Sequence, residues 1–155
     1  SQKLGLERAT AEAYIASYFT RYPGVKRYMD ETRVLARERG YVETVFGRQL
    51  WLPDIRSPAQ GRRSGAERAA INAPMQGTAA DLIKLAMIAV QDWLDAEAMA
   101  SKLIMQVHDE LVLEVPQGEL DRVKEALPRL MAGVAALKVP LLVDVGVGPN
   151  WEKAH

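Results

Sequence analysis

Leu103-Ile104-Met105-Gln106-Val107-His108-Asp109-Glu110-Leu111-Val112-Leu113-Glu114-Val115 reads as two short apolar strands that reverse at one imidazole and two adjacent carboxylates. Tight hairpins favour Asn-Gly or Asp-Gly at the reversal, because the turn asks for positive φ. This one contains no glycine. Two neighbouring acids at the mouth of a buried hairpin repel each other and are poorly solvated. A bound divalent cation would relieve that repulsion. Sequence that works against local preference points to function. Read by itself, the tip is equally compatible with a polar surface turn, since Asp is an ordinary turn residue.

Working upstream, residues 64–76 are Ala-rich and read as a helix. Arg68, Asn72 and Gln76 recur at i, i+4 and i+8, which places them along one helix face. Their neighbours Ala66, Ala69, Ala70 and Ala73 are small, so the helix could approach another surface closely. Such a row of donors suits the DNA minor groove, where every base pair presents acceptors in similar places. It could therefore test pair geometry without reading sequence. A solvated face, or a set of structural hydrogen bonds, fits the same spacing. Pro74 is expected to kink or end this helix. Thr78 to Asp81 then resembles a new helix start, with Leu82, Leu85, Ala86, Ala89, Trp93 and Leu94 as an apolar stripe to about residue 97.

The remaining elements follow from punctuation and period. Residues 8–20 read as a helix that Pro23-Gly24 breaks. Proline then opens a second helix, which runs over 25–38 and stops at Gly40. Residues 41–52 suggest a short hairpin around Phe46-Gly47-Arg48, and 54–63 a loop rich in Pro, Ser, Gly and Arg. Residues 118–137 carry Leu120, Val123, Leu127, Leu130 and Val134 on one helical face, complicated by Pro128, and 141–147 read as a last strand. The expected fold class is α+β.

Composition bounds the function. With 155 residues, 48% hydrophobic and 26% charged, the chain suits a globular core. It has no cysteine, which excludes disulfides and Cys-based zinc sites. No apolar run is long enough for a membrane span, and no secretory pattern is present at the start; the expectation is a cytoplasmic protein with no membrane partner. Net charge is zero, but residues 21–68 hold 11 basic against 6 acidic residues and 92–155 hold 6 against 11. That asymmetry fits a polyanion held beside a metal-binding cluster, and equally two solvated faces. The chain opens at Ser1 rather than Met, so the expectation is a piece of a longer protein.

Taken together, Tyr22-Pro23-Gly24-Val25, Gly40-Tyr41-Val42-Glu43-Thr44, Gly47-Arg48, Leu52-Pro53-Asp54-Ile55, the run from Glu67 to Asp81, Gln106 to Val112, and the end from Asn150-Trp151 to Ala154-His155 resemble the family A DNA polymerases of bacterial polymerase I type. The resemblance covers essentially the whole chain. It implies a helical fingers segment and its return to the palm over 1–60, and part of a palm, an antiparallel sheet with packed helices, over 61–155. It implies template-directed transfer of a nucleotide from a dNTP to a primer 3′-OH. By the same resemblance, Asp109 matches a catalytic, magnesium-binding aspartate, and Glu110 a neighbouring acid with a less direct catalytic role. His108 matches a residue at the primer terminus, and Arg68, Asn72 and Gln76 match residues that touch template or primer. Two Mg2+ ions are implied, with one protein ligand in this chain. The implied partners are primer-template DNA, dNTP and the preceding part of the same polymerase, in the bacterial cytoplasm at the nucleoid. The family's other metal-binding aspartate is absent from these residues, so the chain alone is expected not to polymerise. A non-catalytic DNA-binding module and a single-subunit RNA polymerase relative are the alternatives; Glu110 and the run from Glu67 to Asp81 argue against the latter.

Overall fold

The order of elements follows from where proline and glycine interrupt otherwise helical sequence. The computed structural model describes residues 8–154. Helix α1 spans Arg8–Arg21 and α2 spans Pro23–Arg39. Pro23 sits in the first turn of α2, where its missing N–H is no loss. Gly40 closes α2 in the left-handed conformation, φ 82, with its N–H on the Ala36 carbonyl at 2.8 Å. A residue with a Cβ would be strained at that φ.

Strands β1 (Tyr41–Glu43) and β2 (Gln49–Trp51) then pair antiparallel, Val42 opposite Leu50, as the sequence suggests. The expected loop over 54–63 is more ordered than its composition implies. Pro53–Arg56 form a 3₁₀ turn, and α3 starts at Gln60.

Helix α3 runs unbroken from Gln60 to Ala96, with Pro74 inside it. This overturns the expectation that the helix ends at Pro74 and that a new one is capped at Thr78; both residues lie in its interior. Proline removes one backbone bond, the one that Ala70 would have accepted. The helix survives because apolar burial continues on both sides of the lesion: Ala66 and Ala70 before it, Ala86, Val90 and Leu94 after it. Most helical stability in proteins comes from such packing rather than from local propensity.

A 3₁₀ turn (Gln117–Glu119) and α4 (Leu120–Ala132) follow the second hairpin, β3 (Lys102–Val107) with β4 (Glu110–Glu114). Helix α4 is shorter than the expected 118–137. Val123, Ala126 and Leu127 are its buried residues, Leu130 packs beside them, and Val134 falls beyond its end. Pro128 lies within it without breaking it.

Among the described residues there are two separate two-stranded sheets. The expected strand over 141–147 is not formed, although Val145 packs on the second core. A strand needs a neighbour for its N–H and C=O groups, and alternation in sequence does not supply one. The hairpin β3–β4 is also less buried than expected: Ile104 is 56% and Met105 40% exposed. Helices with small antiparallel sheets nevertheless make the α+β class that the sequence implies.

The chain divides into two compact units, Ser1–Met75 and Gln76–His155. The first is built on Ala36, Val42, Leu52, Ile55, Ala66 and Ala70. Side chains tie α3 to α2 there. Tyr28 donates to the Ile71 carbonyl at 2.9 Å, and Arg37 pairs with Glu67. The second is built on Val90, Leu94, Val123 and Leu127, with Trp93, Leu111, Leu113 and Leu130 against them.

Candidate active site

The tip of the β3–β4 hairpin is a two-residue turn, His108-Asp109, closed by the pair Val107 and Glu110. The positive φ that such a turn demands falls on His108, at 52°. Histidine tolerates this region better than most residues with a Cβ, though at a cost. The turn is pinned from inside, because the Gln106 side-chain amide donates to the His108 carbonyl. A glycine-free turn at positive φ, tied to its own strand, holds the backbone that carries the His108 and Asp109 side chains.

His108 and Asp109 are both exposed, and Glu110 is half-buried. Among the described residues, none hydrogen-bonds the Asp109 carboxylate. Glu110 instead accepts a hydrogen bond from the indole N–H of Trp151, at 3.4 Å. The two adjacent acids therefore have different surroundings. One faces solvent and the other is tied to the last turn of the chain, Trp151–Ala154.

The root of the hairpin is fixed as well. Helix α3 ends in a Schellman motif, with Ala98 N–H on the Asp95 carbonyl at 3.1 Å and Met99 N–H on that of Leu94 at 2.9 Å. Ala98 takes the left-handed position, φ 49. One carboxylate then holds the next two residues: Glu119 accepts from the backbone N–H of Ala100 at 2.8 Å and of Ser101 at 2.9 Å, and from the Ser101 hydroxyl. These bonds, led by the one from the Ser101 side chain, hold the Glu119 carboxyl below its ordinary pKa.

Arg68, Asn72 and Gln76 stand one turn apart along α3, and all three are exposed. Buried alanines, Ala66 and Ala70, alternate with them on the opposite side. The structure thus brings His108, Asp109 and Glu110 together at the tip and sets the polar row on α3. Sequence reasoning missed Glu119, Ser101 and Trp151. Each acts through a partner 18 or 41 positions away, and no local pattern announces such a contact. No described helix is long and apolar enough to cross a membrane.

This chain belongs to DNA polymerase family A, whose model matches residues 1–153. Its relatives include the DNA polymerase I of Pseudomonas aeruginosa, 54% identical over 155 residues, which cover all of this chain and 17% of that protein. The DNA polymerase I of Streptococcus pneumoniae is 48% identical over 154 residues, covering 99% of this chain and 18% of that protein. Among solved structures, the polymerase domain of Pol1 from M. smegmatis, in complex with DNA primer-template and dNTP, superposes with a TM-score of 0.96 at 40% identity. That match covers 99% of this chain and 27% of the other. The chain therefore spans less than a fifth of the length of these curated relatives.

Proposed function

We propose that this chain carries the C-terminal part of the catalytic domain of a template-directed DNA polymerase, joining dNTPs to a primer 3′-OH. Residues 1–60 would be the end of the fingers and their return to the palm, and 61–155 the end of the palm. The observation that carries this reading is the exposed Asp109 carboxylate on a pinned, glycine-free hairpin tip, in a chain whose fold follows a polymerase domain at a TM-score of 0.96.

The donor set fits part of a magnesium site. Magnesium takes one or two carboxylates and completes its shell with water and substrate phosphate oxygens. Asp109 would be the ligand from this chain, with Glu110 beside it. Among the described residues, no set of three acidic or histidine side chains could hold an ion. The partner carboxylate would come from elsewhere in the polymerase. When bound, the two ions of the complete site supply charge stabilisation at the attacking and leaving oxygens.

The chain's own residues do the positioning. The pinned turn holds Asp109 without reorganisation, which is the main protein contribution to phosphoryl and nucleotidyl transfer. His108 would meet the primer terminus. The exposed amide and guanidinium donors of Arg68, Asn72 and Gln76 match minor-groove acceptors common to all four base pairs. The protein would act in the bacterial cytoplasm on primer-template DNA.

The test is Asp109→Ala in the polymerase that contains this chain. We expect primer extension to be lost while primer-template binding is retained. Undiminished extension would overturn the assignment and leave a DNA-binding module in its place.

A further inference from the structure

Three observations converge on the last turn of the chain. The indole N–H of Trp151 donates to Glu110 Oε2 at 3.4 Å, so this turn touches the acid next to Asp109. The turn can reach that place because two glycines let its backbone in. A Cβ at Gly146 would stand 1.7 Å from the Ala154 carbonyl oxygen, and one at Gly148 would stand 2.6 Å from the Lys153 carbonyl. Real Cβ atoms do not approach so closely, so any larger residue at either position would push the turn away. The turn is further closed on itself, since Lys153 N–H donates to the Asn150 side chain at 3.0 Å.

We infer that Trp151 is a positioning residue for the tip: it holds the Glu110 carboxylate toward the terminal turn, so that Asp109 alone is presented outward as the metal ligand. The inference rests on the polymerase reading above. Its physical basis is the repulsion between adjacent carboxylates. Neighbouring carboxylates disfavour each other's charge, and a donor to one of them eases that repulsion. The indole N–H is such a donor, and an aromatic side chain brings it with few rotamers to freeze. Glu110 is the first residue of β4 and is paired across to Val107. Holding its side chain therefore also steadies the strand that carries the turn. With the indole N–H removed, the Glu110 carboxylate loses a donor that draws it toward the terminal turn.

The experiment uses the polymerase that contains this chain, with Trp151→Phe, Gly146→Ala and Asp109→Ala. Trp151→Phe keeps an aromatic ring and removes the N–H; Gly146→Ala leaves the indole intact and displaces the turn. Two quantities are read. The first is amide hydrogen exchange over 107–111 in metal-free protein. The second is the Mg2+ concentration for half-maximal extension, beside the KM for dNTP. We expect both Trp151→Phe and Gly146→Ala to speed exchange over 107–111 and to leave exchange over 123–127 unchanged. We also expect both to raise the Mg2+ requirement roughly tenfold, the usual effect of losing a group that orients a metal ligand, with KM for dNTP unmoved. If Asp109→Ala is inactive and neither variant changes exchange or Mg2+ requirement, the role of Trp151 is overturned and the polymerase reading stands. Faster exchange spread equally through α4 overturns it too, because that is general destabilisation. If Asp109→Ala still extends primers, the reading itself fails and the inference with it. Either variant suffices if the other does not fold.

Discussion

Glu119 and Ser101 are joined twice, hydroxyl and backbone N–H both donating to one carboxylate oxygen of Glu119. Ser101 is the buried polar residue of the described chain, at 5% exposure, and it stands one residue before β3. The second unit therefore ties the start of β3 with a charge-assisted clamp in addition to the packing of Met99, Leu113 and Val115 on its core.

That clamp makes stability depend on pH. Glu119 is held below its ordinary pKa by the Ser101 side-chain hydrogen bond first and the Ala100 N–H second. A depressed carboxyl contributes stability that is present above its unfolded pKa and is lost as pH falls through the folded one. We expect the melting temperature to fall on the acid side, below the ordinary glutamate range, and Glu119→Gln to flatten part of that fall. Asp30, held low by Lys26, and Glu67, held low by Arg37, contribute in the same direction. Ser101→Ala should lower the urea midpoint, because it removes a hydrogen bond to a charged group; an unchanged midpoint contradicts the clamp.

Ala98 occupies a backbone position that favours glycine, φ 49, at the end of α3. Holding a residue with a Cβ there costs roughly 1 kcal/mol. We expect Ala98→Gly to stabilise the protein by up to about 1 kcal/mol, part of the gain being offset by the greater freedom of glycine in the unfolded chain. A shift of the urea midpoint to higher concentration checks it, and a shift to lower concentration contradicts it.

The polar row on α3 makes a different kind of statement. Replacing Arg68, Asn72 or Gln76 by Ala in the polymerase should weaken primer-template binding by about 1 kcal/mol each, evenly across template sequences. Only Arg68→Ala should also reduce the salt dependence, because only Arg carries a charge that displaces counterions. Fluorescence anisotropy at several salt concentrations separates the three. A sequence-dependent loss would mean that the row reads bases.

Strand β3 carries exposed apolar side chains, with Ile104 at 56% and Met105 at 40%, in a sheet of only two strands. Unpaired apolar edges recruit other chains. We expect this 155-residue chain by itself to associate, and Ile104→Lys to shift it toward monomer in sedimentation velocity. We also expect the chain alone to show no primer extension, because one exposed carboxylate does not make a two-ion site.

Much of this was legible in the sequence for local reasons. Pro23 and Gly40 mark the ends of α2 because each has a backbone preference that needs no tertiary context. Two short apolar runs around His108-Asp109-Glu110 mark the second hairpin. The spacing of Arg68, Asn72 and Gln76 anticipates three exposed side chains on one helix. What failed was what depends on distant partners. Pro74 was overridden by burial on both sides of it, and residues 141–147 lack the neighbour that would make them a strand. The roles of Glu119 and Trp151 rest on contacts across 18 and 41 positions, which no periodicity encodes.

Hairpin β3–β4 contains one irregularity in its register, between Leu103 and Met105: Leu103 faces Leu113 and Met105 faces Val112, so Ile104 has no opposite number. Side chains along a strand point alternately up and down, so the surplus residue resets the phase of β3 alone, while β4 alternates without interruption. Excising Ile104 would therefore make the ladder regular without reversing it: Leu103 would still face Leu113 and Val107 still face Glu110, because pairing with β4 sets which way each side chain points.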